Sequence, residues 1–157
     1  MSRSRTEAAV DAWESLFRSQ VTLMRRFTAE DIWKPIGVRE YDVLFTLSSS
    51  PTRALRLHEL NEGILLSQPS LSRMCDRLTT MGYVVRQSDP SDKRGTVICL
   101  TEAGAELQKS IGRKHATQIA RLVGGALDGH ELAELDRLCT KLRKTQAGLR
   151  ITQAGIE

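Results

Sequence analysis

Aromatic residues make up only 4% of this 157-residue chain, while hydrophobic residues overall reach 40%. That balance disfavours an aromatic-rich β-sandwich and favours helices built on Leu and Ala. Cysteine is just as sparse. Cys75, Cys99 and Cys139 are odd in number and far apart, so no disulfide framework is implied. His58, His115 and His130 are equally scattered, and no Cys or His pair has the spacing of zinc ligands. There is no Ser/His/Asp set, paired carboxylate motif or Gly-rich phosphate loop. Neither an enzyme nor a bound metal or cofactor is therefore expected. No apolar run approaches the roughly 20 residues of a membrane span. Met1 to Glu7 lacks the apolar stretch of a signal peptide. The expectation is a cytoplasmic protein with no membrane partner. Repeats and low-complexity tracts are missing too, and the length suits about one domain.

What is present begins with a mild excess of positive charge, +4, and a sequence pI of about 9.2. That permits an anionic partner without demanding one. Helical periodicity dominates both ends. Val10, Trp13, Phe17, Met24 and Phe27 mark one apolar stripe, which Pro35 and Gly37 are expected to end. A second, short helix is expected from Glu40 to Leu47, then a loop at Ser48–Thr52. A third is expected over His58–Gly63, and a fourth over residues 67–82. Strands at about 83–88 and 96–100 flank a charged turn. Downstream, Ala103, Leu107, Ile111, Ile119 and Leu122 form another stripe, interrupted by Gly124-Gly125. Asp128 and Glu131 have capping-box spacing. Leu132, Leu135, Leu138, Leu142 and Leu149 carry the last helix. The two long terminal segments can serve packing within one monomer or a dimer interface, and the winged unit between them favours the dimer.

Two central stretches carry the chemistry. On a wheel of about 100° per residue, the fourth helix places Leu71, Met74, Leu78 and Met81 on a core face, with Cys75 at its edge. The opposite face holds Pro69, Ser72, Arg73, Asp76 and Thr80, with Gln68 and Arg77 to either side. Ser67 suits an N-cap, and Pro69 is tolerated in the first turn. A helix that reads a DNA major groove needs short polar side chains at its N-terminal end and arginines one turn on. Taken alone, the same pattern describes a solvated amphipathic helix. Its neighbour sharpens it. Asp89-Pro90-Ser91-Asp92-Lys93-Arg94-Gly95 is a basic hairpin tip followed by the short strand pattern of Val97, Cys99 and Leu100, then the N-cap candidate Thr101. Arg94 there could enter a narrow minor groove, and Lys93 could meet phosphate. Asp89 and Asp92 would hold the arginines or shape the turn.

These strings resemble the winged helix-turn-helix of the MarR family of bacterial transcriptional regulators. The matching residues are Leu65-Leu66-Ser67-Gln68-Pro69-Ser70-Leu71-Ser72-Arg73, Asp76-Arg77-Leu78, Gly82-Tyr83-Val84-Val85-Arg86, the turn at 89–95 and Leu100-Thr101-Glu102-Ala103-Gly104, with Tyr41-Asp42-Val43-Leu44 earlier. The resemblance implies a mainly α fold with a small β-wing. It makes 1–157 one domain, with a DNA-binding part at about 38–100 and dimerisation helices at about 5–34 and 101–150. It implies a homodimer on a pseudo-palindromic double-stranded operator, most commonly a repressor. Carried over by position, Ser67, Gln68, Pro69, Ser70, Ser72 and Arg73 face bases, Arg77 meets phosphate or supports the wing, and Arg94 probes the minor groove. The family also implies release by a small aromatic or anionic effector. Trp13, Phe17, Arg18, Arg25 and Tyr41 lie on the segments that would wall its cleft, although Trp13 and Phe17 also suit a dimer core. A redox-sensing branch of the family uses a cysteine in the first helix. Here no cysteine precedes Cys75, which disfavours that mechanism. A protein-binding winged helix is the other alternative. It would call for acidic or apolar residues where Ser72, Arg73 and Arg94 stand.

Overall fold

The computed structural model describes residues 4–148. Leu149, assigned above to the last helix, and the end of the expected 101–150 segment lie outside them. Six α-helices and three short strands follow in the order α1, α2, β1, α3, α4, β2, β3, α5, α6 among the described residues. The boundary between two compact units falls after Ala116.

Helix α1 spans Arg5–Ala29. Ser4 opens it with a capping box: its hydroxyl accepts from the Glu7 N–H at 3.1 Å, and the Glu7 carboxylate accepts from the Ser4 N–H at 2.8 Å. The helix stops well before Pro35. Glu30 turns extended, and the indole N–H of buried Trp33 donates to the Phe27 carbonyl at 2.9 Å. That bond satisfies one of the carbonyls a helix end leaves orphaned. Helix α2, Val38–Ser49, runs longer at both ends than periodicity indicates. Its first turn is fixed by the Glu40 carboxylate, which accepts from the Gly37 N–H at 3.1 Å.

Strand β1, Ala54–Arg56, is absent from the sequence reading. Three residues are too few to show alternation, and only the long-range partner β3 makes them a strand. Helix α3, Leu57–Glu62, is one short turn-and-a-half burying Leu60. Helix α4, Gln68–Thr80, begins at the expected N-cap, with the Ser67 hydroxyl accepting from the Ser70 N–H at 3.3 Å. Strands β2 (Val84–Ser88) and β3 (Thr96–Leu100) pair antiparallel from Val84↔Leu100 to Ser88↔Thr96. The sheet order is β1-β3-β2. The fold is thus mainly α with a small β-wing, as expected.

One core holds this unit. Val43, Leu44 and Leu47 of α2, Leu60 of α3, Leu71, Cys75 and Leu78 of α4, Val84 and Ile98 are all fully buried, with Met74 beside them. Two positions differ from the helical wheel. Cys75 lies inside the core rather than at its edge. Met81 is 43% exposed, because α4 ends at Thr80 and a wheel has no authority past the last turn. Gly82, at φ +80°, makes the left-handed turn into β2. Gly104 is required by close approach, since a Cβ there would sit 2.1 Å from the Tyr83 carbonyl oxygen. That fit brings the start of α5 (Glu102–Leu122) against the head of β2. Thr101 joins the two, its hydroxyl donating to the Gly82 carbonyl at 2.7 Å and accepting from the Gly104 N–H at 3.1 Å.

In the second unit, α6 spans Gly129–Gly148. The capping box read at Asp128 and Glu131 is present, with both backbone-to-carboxylate bonds at 2.9 Å.

Candidate nucleic-acid interface

The outward face of α4 carries the side chains expected there, but most of its hydroxyls are already engaged. Ser67 donates to the Ser70 hydroxyl at 2.9 Å while capping the helix. The Arg73 guanidinium donates to that same Ser70 oxygen at 3.3 Å. Ser72 accepts twice from the Arg86 guanidinium, through its carbonyl at 2.8 Å and its hydroxyl at 3.1 Å. Gln68 and Pro69 are exposed, and the Gln68 amide makes no hydrogen bond among the described residues. Gln68 is therefore unengaged among the described residues, and Arg73 has only its long bond to Ser70.

Arg77 pairs away from the wing. Its guanidinium donates to the Glu40 carboxylate at 2.7 Å, tying the last turn of α4 to the first turn of α2. Burial pushes the Glu40 pKa up, but the Arg77 hydrogen bond and charge, with the cap bonds, outweigh it and leave the pKa lowered.

The wing loop between β2 and β3 is braced from within. The Asp89 N–H donates to the Gly95 carbonyl at 3.1 Å, and the Gly95 N–H to the Asp92 carbonyl at 2.9 Å. Asp92 Oδ1 accepts from the Arg94 N–H at 2.9 Å, an Asx-type turn. This leaves the Lys93 ammonium and the Arg94 guanidinium exposed and without an ion-pair partner among the described residues. A cavity of about 240 Å³ separates the loop from the helices, with Arg94 and Asp92 on one wall and His58 and Gln68 on the other.

Three positions escaped the sequence reading. Arg56, at the end of β1, pairs with Asp89 at 2.5 Å and donates to the Ser91 hydroxyl at 2.8 Å. Arg86, in β2, pairs with Asp76 at 2.9 Å besides holding Ser72. Glu40 holds Arg77. Each of these ties joins residues far apart in sequence, and no local motif announces such a pair. The wing-supporting role considered for Arg77 thus falls, in geometry, to Arg56 and Arg86.

The residues assigned to an effector cleft are not gathered at one place. Trp13 and Phe17 stack at 5.9 Å on an open face of α1, and the Arg18 guanidinium lies 5.7 Å from the Phe17 ring centre. Arg18 also pairs with Glu14 at 3.4 Å. Tyr41 is buried instead, against Trp33 at 5.4 Å and His115 at 5.9 Å. His115 in turn packs on Phe27 at 4.9 Å. Phe27 is about 15 Å along the helix axis from Phe17, at a rise of roughly 1.5 Å per residue. Arg25 is exposed on the same helix.

Cys75 has a thiol pKa pushed up to about 11 by burial, which keeps it protonated and unreactive at neutral pH. Among the described residues no group of three metal-ligating side chains forms. No helix of these residues is long and apolar enough to cross a membrane.

The model of the MarR family matches residues 35–95, from just before α2 through the wing loop. An HTH-type transcriptional regulator of Bacillus subtilis, YkoM, is 34% identical over 89 residues, 57% of this chain and 55% of that protein. The chain thus spans little more than half the length of such curated relatives. Another HTH-type regulator, from Bacillus cereus, is 33% identical over 106 residues, covering 67% of this chain and 68% of its own length. Among solved structures, Sco3205 of Streptomyces coelicolor, a MarR family transcriptional regulator crystallised with DNA, superposes with a TM-score of 0.76 at 26% identity. That superposition covers 100% of this chain and 96% of Sco3205. The match of sequence through helix-turn-helix and wing, and of fold over the full length, has one reading: the chain belongs to the MarR family of transcriptional regulators.

Proposed function

We propose that this protein binds a pseudo-palindromic double-stranded DNA operator as a homodimer and represses transcription from it. The observation that carries this is one groove lined by Gln68 of α4 and Arg94 of the wing loop, with Lys93 exposed and without an ion-pair partner among the described residues next to Arg94, and Arg73 exposed further along α4. An unbonded Gln68 amide in the first turn of α4, with the Arg73 guanidinium held only by its 3.3 Å bond to Ser70, suits base edges in a major groove. A loop-tip arginine suits the neighbouring minor groove, and the lysine suits phosphate. Ser67, Ser70 and Ser72 serve chiefly to cap and seat the helix, with Pro69 fixing its first turn. Arg77 meets phosphate only by sharing its charge with Glu40.

The homodimer is supported by what the terminal helices leave uncovered. Val10 and Trp13 of α1 and Leu142 of α6 are each more than half exposed, with Phe17, Leu135 and Leu138 close behind. Apolar stripes of this kind are normally covered by another chain. Release by a small aromatic or anionic ligand belongs to the same reading, with Trp13, Phe17 and Arg18 offering ring and cation on α1 and Tyr41 lying apart from them.

Electrophoretic shift with DNA from upstream of the protein's own gene tests the proposal. Binding should weaken steeply as salt rises, because phosphate contacts release counterions. Arg94→Ala should cost about 1–3 kcal/mol of binding. Salt-independent binding, or none to any upstream fragment, would remove the DNA reading.

A further inference from the structure

Asp89 is a buried charge at the foot of an exposed cationic loop, its side chain only 5% accessible. A carboxylate beside a surface meant for a polyanion opposes binding through its charge. Its contacts supply a compensating role. Oδ1 accepts from the Ser91 N–H at 2.9 Å and from the Ser91 hydroxyl at 2.8 Å. Oδ2 lies 2.5 Å from Nε of Arg56, and Nη2 of Arg56 donates to the Ser91 hydroxyl at 2.8 Å. Arg56 ends β1 and is the N-cap residue of α3. Its guanidinium therefore grips the wing loop from the helix-turn-helix side, in the fork geometry that suits an arginine and not a lysine.

The last ladder pair of the wing is Ser88↔Thr96. Beyond it the loop has its own turn bonds. Among the described residues, the Arg56 contacts are the side-chain bonds that join residues 89–95 to the rest of the fold. We propose that Arg56, acting through Asp89, is a positioning residue that fixes where Arg94 stands relative to α4. The inference rests on the DNA-binding role given to Arg94 above. A loop that pivots at its base moves most at its tip. A minor groove about 6 Å wide rewards a guanidinium held in place beforehand, since ordering it on binding would cost affinity.

Arg56 is itself about half exposed, so a direct phosphate contact is the competing role. The two roles predict opposite signs at Asp89. If Arg56 met phosphate, removing its acidic partner would leave binding unchanged or strengthen it. If Arg56 positions the wing, losing the carboxylate weakens binding even though a negative charge has gone.

The experiment measures affinity for the gene's own upstream DNA by fluorescence anisotropy at one salt concentration, with hydroxyl-radical footprints and melting curves for each variant. Arg94→Ala should weaken binding roughly tenfold or more. Asp89→Asn and Arg56→Lys should each weaken it by a comparable factor. In both, protection of the minor groove at the wing should disappear while protection under α4 remains, a pattern that general loss of stability would not give. The double variant Asp89→Asn/Arg94→Ala should bind no more weakly than Arg94→Ala, because both changes remove one contact. Asp89→Asn binding as well as wild type while Arg94→Ala is weak overturns the inference alone. Arg94→Ala binding as well as wild type overturns the wing reading beneath it as well. Should Asp89→Asn melt below the assay temperature, Arg56→Lys decides, and full affinity in that variant refutes the positioning role.

Discussion

Helix α4 and the wing loop face each other across one groove, yet they are held by different physics. Leu71, Cys75 and Leu78 anchor α4 from below, fully buried, with Met74 nearly so. Its outward serines cap the helix or seat it on Arg86. The loop at 89–95 contributes no apolar side chain to the core, and its one buried side chain is a carboxylate. Apolar burial is undirected and nearly independent of pH, so the helix is fixed as a rigid body. Hydrogen bonds and ion pairs are directional and break with single polar substitutions. The lesson is a division of labour. One element owes its position to volume, the other to geometry, and the two should fail in different ways.

The harshest test of that division is Leu71→Ala. Leu71 is fully buried in the core that α4 shares with α2, α3 and the sheet, and emptying such a site costs about 2–5 kcal/mol of stability. Urea denaturation should show a loss in that range. A loss below about 1 kcal/mol would mean that the core does not hold α4, and the contrast with the wing would collapse. Next in size is Arg73→Ala, a change on the outward face that leaves the core alone. Its bond to Ser70 is long, 3.3 Å, so folding stability should barely move. Binding should fall by about 1–3 kcal/mol, concentrated at one base pair when operator variants are compared. An equal loss on every variant would make Arg73 a phosphate contact and leave Gln68 as the reader on this face.

The same division explains which parts of the molecule could be read in its sequence. The core of α4 was visible because apolar residues recur at helical spacing and Ser67 marks the start. The loop was visible because Asp, Pro, Ser and Gly mark turns wherever they cluster. The pairings that orient these pieces were not visible. Arg56 and Asp89, Arg86 and Ser72, and Arg77 and Glu40 meet only after the chain has folded, and an arginine in a strand or helix gives no sign of its partner. Strand β1 was missed for a related reason, since its identity comes from β3. The early end of α1 was missed because the terminator is the indole of Trp33 reaching back to Phe27, four residues after the helix has ended, whereas Pro35 was the visible stop signal. Among the cleft residues, spacing placed Trp13 and Phe17 together, while Tyr41 proved to be a buried partner of Trp33 and His115.

The smallest predicted effect lies at the seam between these modes. Glu40 accepts from the Gly37 N–H and from Arg77, so one carboxylate caps α2 and holds the end of α4. Its pKa is lowered in the folded protein, because Arg77 and the backbone cap bonds together outweigh the opposing effect of burial. A carboxyl group whose pKa falls on folding adds stability that is fully present above the unfolded value, about 4.3, and is lost as pH drops through the lower folded value. Arg77 is 60% exposed, so solvent screening limits the pair to at most about 1 kcal/mol. Glu40→Gln should therefore cost a fraction of that at pH 7 and nothing further in acid. The wild-type and variant stability curves should converge as pH falls below about 4. Curves that stay parallel across that range would show that the Glu40 charge is not what joins α2 to α4. The hold on the last turn of α4 would then fall to the core beneath it.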